Sequence, residues 1–181
     1  MSPVEITGDG LVLREFSRAD LGGLHGVYGD EKTVTHLSFS ARSKDGCLTI
    51  IDRAMEDAKA DPRRVYLLAV TRGDRVVGVA RLAREEYPHS ASLGFALRAD
   101  HWGRGLGTEL VSLLLKFGFR DLGLYRLWGA RAPENMASAR VMERVGMREE
   151  GRIRAHVWTG EAWRDSISHS ILRDEWERAA R

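Results

Sequence analysis

Trp102-Gly-Arg-Gly-Leu-Gly-Thr108 follows an alternating apolar segment, Ala91 to Arg98, and runs straight into an apolar segment from Leu106 to Phe119. Period two before it and near-continuous hydrophobicity after it predict a strand, a tight turn and a covered helix, in that order. Glycines at 103, 105 and 107 alternate with Arg104 and Leu106, and a residue without a Cβ lets a ligand come close to the backbone. The first turn of the following helix leaves N–H groups unpaired. Its dipole adds about half a positive charge there, so a phosphate is the natural occupant. Arg104 would add a full charge and a fork of donors.

Two familiar phosphate loops do not fit these residues. A P-loop ends in Gly-Lys-Ser/Thr, but no Lys lies between Lys59 and Lys116. A dinucleotide fingerprint needs G-x-G-x-x-G and an acidic residue closing a second strand, and the segment Leu122 to Ala132 ends without one.

Working outward, Gly10 to Phe16 reads as a first strand, and Ser17 with Asp20 as a capping box. A glycine-rich helix follows, with Leu21, Leu24 and Val27 or Tyr28 at helical spacing. A second helix spans Lys44 to Lys59, with Leu48, Ile51 and Met55 on one side, and His36 to Arg42 is a loop. Val65 to Thr71 and Arg75 to Arg84 form a hairpin about Arg72-Gly-Asp74. Leu124 to Ala132 is a strand. Asn135 opens a helix, Met136 to Val145, that Gly146 ends in a left-handed cap. Gly151 to Trp158 and Trp163 to Leu172 make a closing hairpin. The order predicts an α/β three-layer sandwich: a mixed, mostly antiparallel seven-stranded sheet with about four helices. One parallel pair is expected where the central helix joins Ala91–Arg98 to Leu124–Ala132.

Composition narrows the function. The 181 residues suit one domain over 1–181, and the net charge is only +2, with 28 Lys and Arg interspersed among 26 Asp and Glu. Neither nucleic acid nor membrane is implied as a partner. The single cysteine, Cys47, excludes an internal disulfide and fits a reducing cytoplasm. No leader or membrane span is read, so a cytoplasmic protein is expected. The six histidines show no metal-ligand spacing, and no metal is expected. The basic residues are 24 Arg against 4 Lys, Gln is absent, and Asn135 is the only Asn.

The segment Asn135-Met-Ala-Ser138-Ala-Arg-Val-Met-Glu-Arg-Val-Gly146-Met147 resembles the second signature of the GNAT superfamily of N-acetyltransferases. The turn Trp102–Thr108 resembles that superfamily's acetyl-CoA pyrophosphate loop. Gly151 to Trp158, Gly160 and Asp165 resemble the tail of its RimJ/RimL-like, ribosomal-protein acetyltransferase branch. The resemblance implies acetyl-CoA as cosubstrate, held by Leu97, Trp102, Gly103, Arg104, Gly105, Leu106, Gly107, Thr108 and Asn135. A backbone N–H near Leu97 would hold the developing oxyanion. Ser138 would donate to the departing thiolate, since Met142 stands where many relatives carry a tyrosine acid. His156 is the candidate base, because an imidazole can take up a proton near physiological pH, ahead of Glu85, Glu86 and Asp100. Ser92 and Gly94 stand where relatives carry a glutamate. Trp128, Trp158 and Trp163 are expected in the core or the groove wall. The acceptor is a primary amine, either a protein N-terminal α-amine or a small molecule such as a polyamine or aminoglycoside-like antibiotic. A non-catalytic acyl-CoA-binding module is the rival class, and a homodimer is allowed.

Overall fold

The computed structural model describes residues 3–179. The alternating segments pair as a meander: β1 (Glu5–Thr7), β2 (Val12–Glu15), β3 (Val65–Arg72), β4 (Arg75–Arg84) and β5 (Ser90–Leu97) run antiparallel in that order. Next to β5 lies β6 (Arg126–Arg131) in the one parallel pairing. The closing hairpin, β7 (Arg148–Trp158) and β8 (Trp163–Leu172), adds through β8, so β7 is the edge. The sheet has eight strands rather than seven. The additional one, β1, is three residues long and pairs with β2 through the Gly8–Gly10 turn, too short for periodicity to reveal.

Among the described residues six helices flank the sheet: α1 (Leu21–Tyr28), α2 (Glu31–Val34), α3 (Lys44–Asp57), α4 (Leu106–Lys116), α5 (Met136–Arg144) and α6 (Arg173–Ala179). Of these, α2 and α6 exceed the expected set. The first is a single turn capped by Asp30, whose carboxylate accepts from Thr33 N–H at 3.1 Å. The second carries one large apolar side chain, Trp176, which packs on Phe119. On α3 the core face is Cys47, Ile51 and Ala54 rather than Leu48, Ile51 and Met55, a rotation of about one residue. Ser17 starts a 3-10 turn, not an α-helix, and Asp20 accepts its N–H at 2.8 Å. The apolar segment after Lys116 widens into a π turn, Phe117–Asp121.

Alternation along the strands divides the core between the two sheet faces. Leu68 and Val70 join Leu110, Val111, Leu114 and Leu115 of α4, while Ala69 and Val79 join Leu24, Val27, Cys47 and Ile51 of α1 and α3. The result is helix, sheet, helix. The four α4 side chains are fully buried, each contributing about 2 kcal/mol over exposure. Charges inside this frame are matched. Arg63 forks to Glu15 at 2.6 and 3.1 Å, and Arg14 to Asp20 at 2.9 and 2.8 Å.

Candidate active site

The parallel pairing stops early. Residues Ser90, Ala91 and Ser92 of β5 face Arg126, Leu127 and Trp128 of β6, after which the strands part. Arg98 N–H donates to Val77 C=O on the β4 side at 2.9 Å. Alternation along β5 therefore turns the amides of Phe95 and Leu97 the other way, into the gap. The Leu97 carbonyl is occupied by the Trp102 indole N–H at 2.8 Å, which leaves the N–H groups of Phe95 and Leu97 on offer. Trp102 is 45% exposed and carries Lys32 Nζ 5.7 Å from its ring centre.

The glycine turn closes one end of the gap. Gly103 and Gly105 adopt φ of +74° and +78°, the left-handed region that favours glycine. Gly105 begins α4 without a side-chain cap, and its carbonyl accepts from Thr108 and Glu109 N–H at 3.0 and 3.2 Å. The N–H groups of Leu106 and Gly107 have no partner among the described residues. The one acid of this first turn points away, since the Glu109 carboxylate accepts from Gly10 and Leu11 N–H at 2.7 and 3.0 Å.

Not every residue of the turn faces the gap. Gly103, Gly105, Gly107 and Thr108 line it, whereas Leu106 is a core side chain with only its N–H to contribute. Arg104 is exposed and outside the lining. Gly107 also has a packing reason, because a Cβ there would meet Val141 Cγ2 at 3.1 Å.

The other wall is α5. Asn135 Oδ1 accepts from Ser138 N–H at 3.0 Å, and Gly146 leaves the helix at φ +86°. The approach to Asn135 is stiffened by Arg131, which is buried and donates to Pro133 C=O at 2.8 Å and to His169 Nε2 at 3.1 Å. Burial, then the Arg131 charge, push the His169 imidazole below its ordinary range, so it stays neutral and can accept.

The gap opens into two adjoining clefts. One, of about 800 Å³, runs from the glycine turn along α5. The other, of about 460 Å³, lies under the loop 36–39 toward β4, β7 and β8. They share His36, Leu37, Phe95, Ala96, Asn135 and Ser138. Lys32, Arg140 and Arg144 line the first cleft and were not singled out from sequence. The spacing of Arg140 and Arg144, one turn apart behind Asn135, was the available signal.

His156 is exposed and lines the second cleft, as Ser138 does, on β7 where its register slips between Ile153 and Val157. The carboxylate candidates are elsewhere. Glu85 accepts from the Trp128 indole at 2.6 Å and from Ser90, and Glu86 is exposed. Asp100 is held by His101 and Arg98 with its pKa drawn down to about 2. Met142 is a buried part of the second wall, and Ser92 and Gly94 line it too. Trp128 is groove wall as expected, but Trp158 and Trp163 are not. They are 52% and 63% exposed and meet edge to face at 5.6 Å beside the hairpin turn. Among the described residues no cluster of His, Cys, Asp or Glu is placed to hold a metal ion, and no helix is long and apolar enough to cross a membrane.

Comparison with known proteins agrees with this geometry. Residues 10–148 match the family model described as the acetyltransferase (GNAT) domain. The uncharacterized N-acetyltransferase YnaD of Bacillus subtilis (strain 168) is 23% identical over 173 residues, covering 96% of this chain and 99% of YnaD. A solved RimL, the ribosomal L7/L12 α-N-protein acetyltransferase in complex with coenzyme A, superposes with a TM-score of 0.84 at 17% identity, covering 95% of this chain and 99% of RimL. Spermidine N-acetyltransferase from Vibrio cholerae, in complex with CoA and spermine, gives a TM-score of 0.80 at 21% identity, covering 94% and 99%. At those identities the two structures speak for the fold, and the family match carries the assignment: the chain belongs to the GNAT acetyltransferases and is an acetyl-CoA-dependent enzyme.

Proposed function

We propose that the enzyme transfers the acetyl group of acetyl-CoA to a primary amine by direct attack, with both substrates bound at once. The observation that carries this reading is the pair of clefts meeting at the parted strands, with Asn135 and Ser138 in the wall of both. The first cleft suits the coenzyme. The free N–H groups of Leu106 and Gly107 at a helix start receive a pyrophosphate, and Lys32, Arg140 and Arg144 add positive charge along the same wall. An extended amide-bearing arm can pair with the open edge of β5, as an added strand would.

In the transfer the amine nitrogen attacks the thioester carbon, the carbon–sulfur bond breaks, the ammonium loses a proton and the sulfur gains one. Leu97 N–H, which opens into the gap, donates to the carbonyl oxygen, where one such donor is worth about 3 kcal/mol in the transition state. Ser138 Oγ–H donates to the sulfur. His156, in the acceptor cleft, takes the amine's proton directly or through water. The acceptor is a protein N-terminal α-amine or a small-molecule amine. The test is thermal: acetyl-CoA at a hundred times its Kd should stabilise the fold by about 2.7 kcal/mol, with NAD and ATP far behind. Equal shifts from all three would reduce the cleft to a generic phosphate site. Tight acetyl-CoA binding with no amine-dependent CoA release would favour a non-catalytic acyl-CoA-binding module.

A further inference from the structure

The acceptor cleft has a one-sided charge. Its ionisable walls are Arg81 from β4, Arg131 from β6, Arg164 from β8, His36 from the loop after α2 and His156 from β7, with Tyr28 of α1 as the remaining titratable group. Among the described residues no Asp or Glu side chain lines it. Arg131 is answered by Glu149 at 3.3 Å and by backbone carbonyls. Arg81 and Arg164 are not answered, for neither forms an ion pair among the described residues. Arg164 gives Nη1 to the carbonyls of His36 and Leu37, both at 3.0 Å, while its Nε is buried without a partner. Arg81 is exposed and has no hydrogen-bond partner for its side chain among the described residues.

Arg14 with Asp20 and Arg63 with Glu15 show the contrasting case, guanidinium groups matched by carboxylates. Two guanidinium groups without counter-ions in one recess repel a cation; Arg81 presents an uncommitted planar fork that suits a carboxylate, and Arg164 adds its charge and its remaining Nη2. Building on the proposed amine acetylation, we infer that the acceptor is an amine bearing a carboxylate, held by Arg81 and Arg164 while the nitrogen faces Ser138. A polyamine is disfavoured, because every further ammonium would lie beside these charges. The carboxylate can belong to a free amino acid or to the side chains of an acidic peptide N-terminus.

The experiment measures CoA release with five acceptors: glutamate, the same molecule with both carboxyls amidated, the peptide Ser-Asp-Glu, its counterpart Ser-Asn-Gln, and spermidine. At least one anionic member should exceed its neutral partner in kcat/KM by about 30-fold, with spermidine slowest. The responding pair identifies the source. Arg81→Gln should cut that preference at least about tenfold while acetyl-CoA affinity and melting temperature hold. Equal use of neutral and anionic acceptors, a preference for spermidine, or an unchanged preference in R81Q overturns the inference. Binding of glutarate to the CoA complex is read separately from turnover. If no acceptor is acetylated, the transfer reading fails, yet glutarate protection lost in R81Q still supports the anionic subsite, and no glutarate protection in the wild type defeats it.

Discussion

Helix α5 starts at Asn135, whose side chain takes the Ser138 N–H, whereas α4 starts at Gly105, which has no side chain to give and leaves two N–H groups without partners at the end of the same cleft. Helices α2 and α3 follow the first pattern, with Asp30 and Ser43 as caps. A cap is worth about 1 kcal/mol, so the bare start of α4 is a stabilisation forgone where a ligand can supply the missing acceptor. The capped start of α5 does the complementary job, fixing the wall against which the reacting groups line up.

The sharpest way to break this comparison is to cap the bare helix. Gly105→Asp puts a carboxylate where the pyrophosphate is proposed to bind. Its Cβ meets open space but must accept φ +78°, a strain of about 1–2 kcal/mol that the new cap partly offsets. Acetyl-CoA affinity should fall at least about 100-fold by titration calorimetry through repulsion, while the melting temperature moves only a few degrees. A mutant that binds normally removes the helix start from the coenzyme site. Gly107→Asp would be a poorer probe, because Val141 crowds that position.

Next in size, Ser138→Ala separates the two roles of one residue. The cap uses its N–H, so losing Oγ should leave the melting temperature alone and lower kcat roughly 10- to 100-fold, with acetyl-CoA binding intact. An unchanged kcat would mean that water protonates the sulfur. The smallest effect is expected from Asn135→Ala, which strips the cap of α5. It should cost about 1 kcal/mol, a fall of about 2–4 °C in Tm for a chain of this size, and weaken acetyl-CoA by about tenfold. Loss of affinity without loss of stability would make Asn135 a ligand contact and not a cap.

Much of this was legible because the signals are local. The Val65–Arg84 hairpin, the glycine turn and the Asn135–Gly146 helix each announce themselves within a dozen residues through period, turn chemistry or caps. What stayed hidden depends on contacts distant in sequence. Glu109, in the first turn of the central helix, looks like an acid at the phosphate site until Gly10 and Leu11, about a hundred residues away, claim its carboxylate. Arg164 is anonymous among 24 arginines until β8 brings it under His36 and Leu37. The placement of Trp158 and Trp163 went wrong for a related reason. Large aromatic side chains predict burial on average, but these two flank the turn of an edge hairpin with no layer above them.

Sheets ordinarily keep their unsatisfied amides on the outermost strands, where another copy of the chain can add and propagate an aggregate. Past Ser92 and Trp128 this protein carries such an edge in the middle of its sheet. It is enclosed by the glycine turn on one side and α5 on the other, so a neighbouring polypeptide strand with its side chains would meet walls. A thin chain carrying a few amides and no side branches would not. The edge is thereby hidden from other proteins and open to one shape of molecule, a selectivity set by width before any specific contact is made.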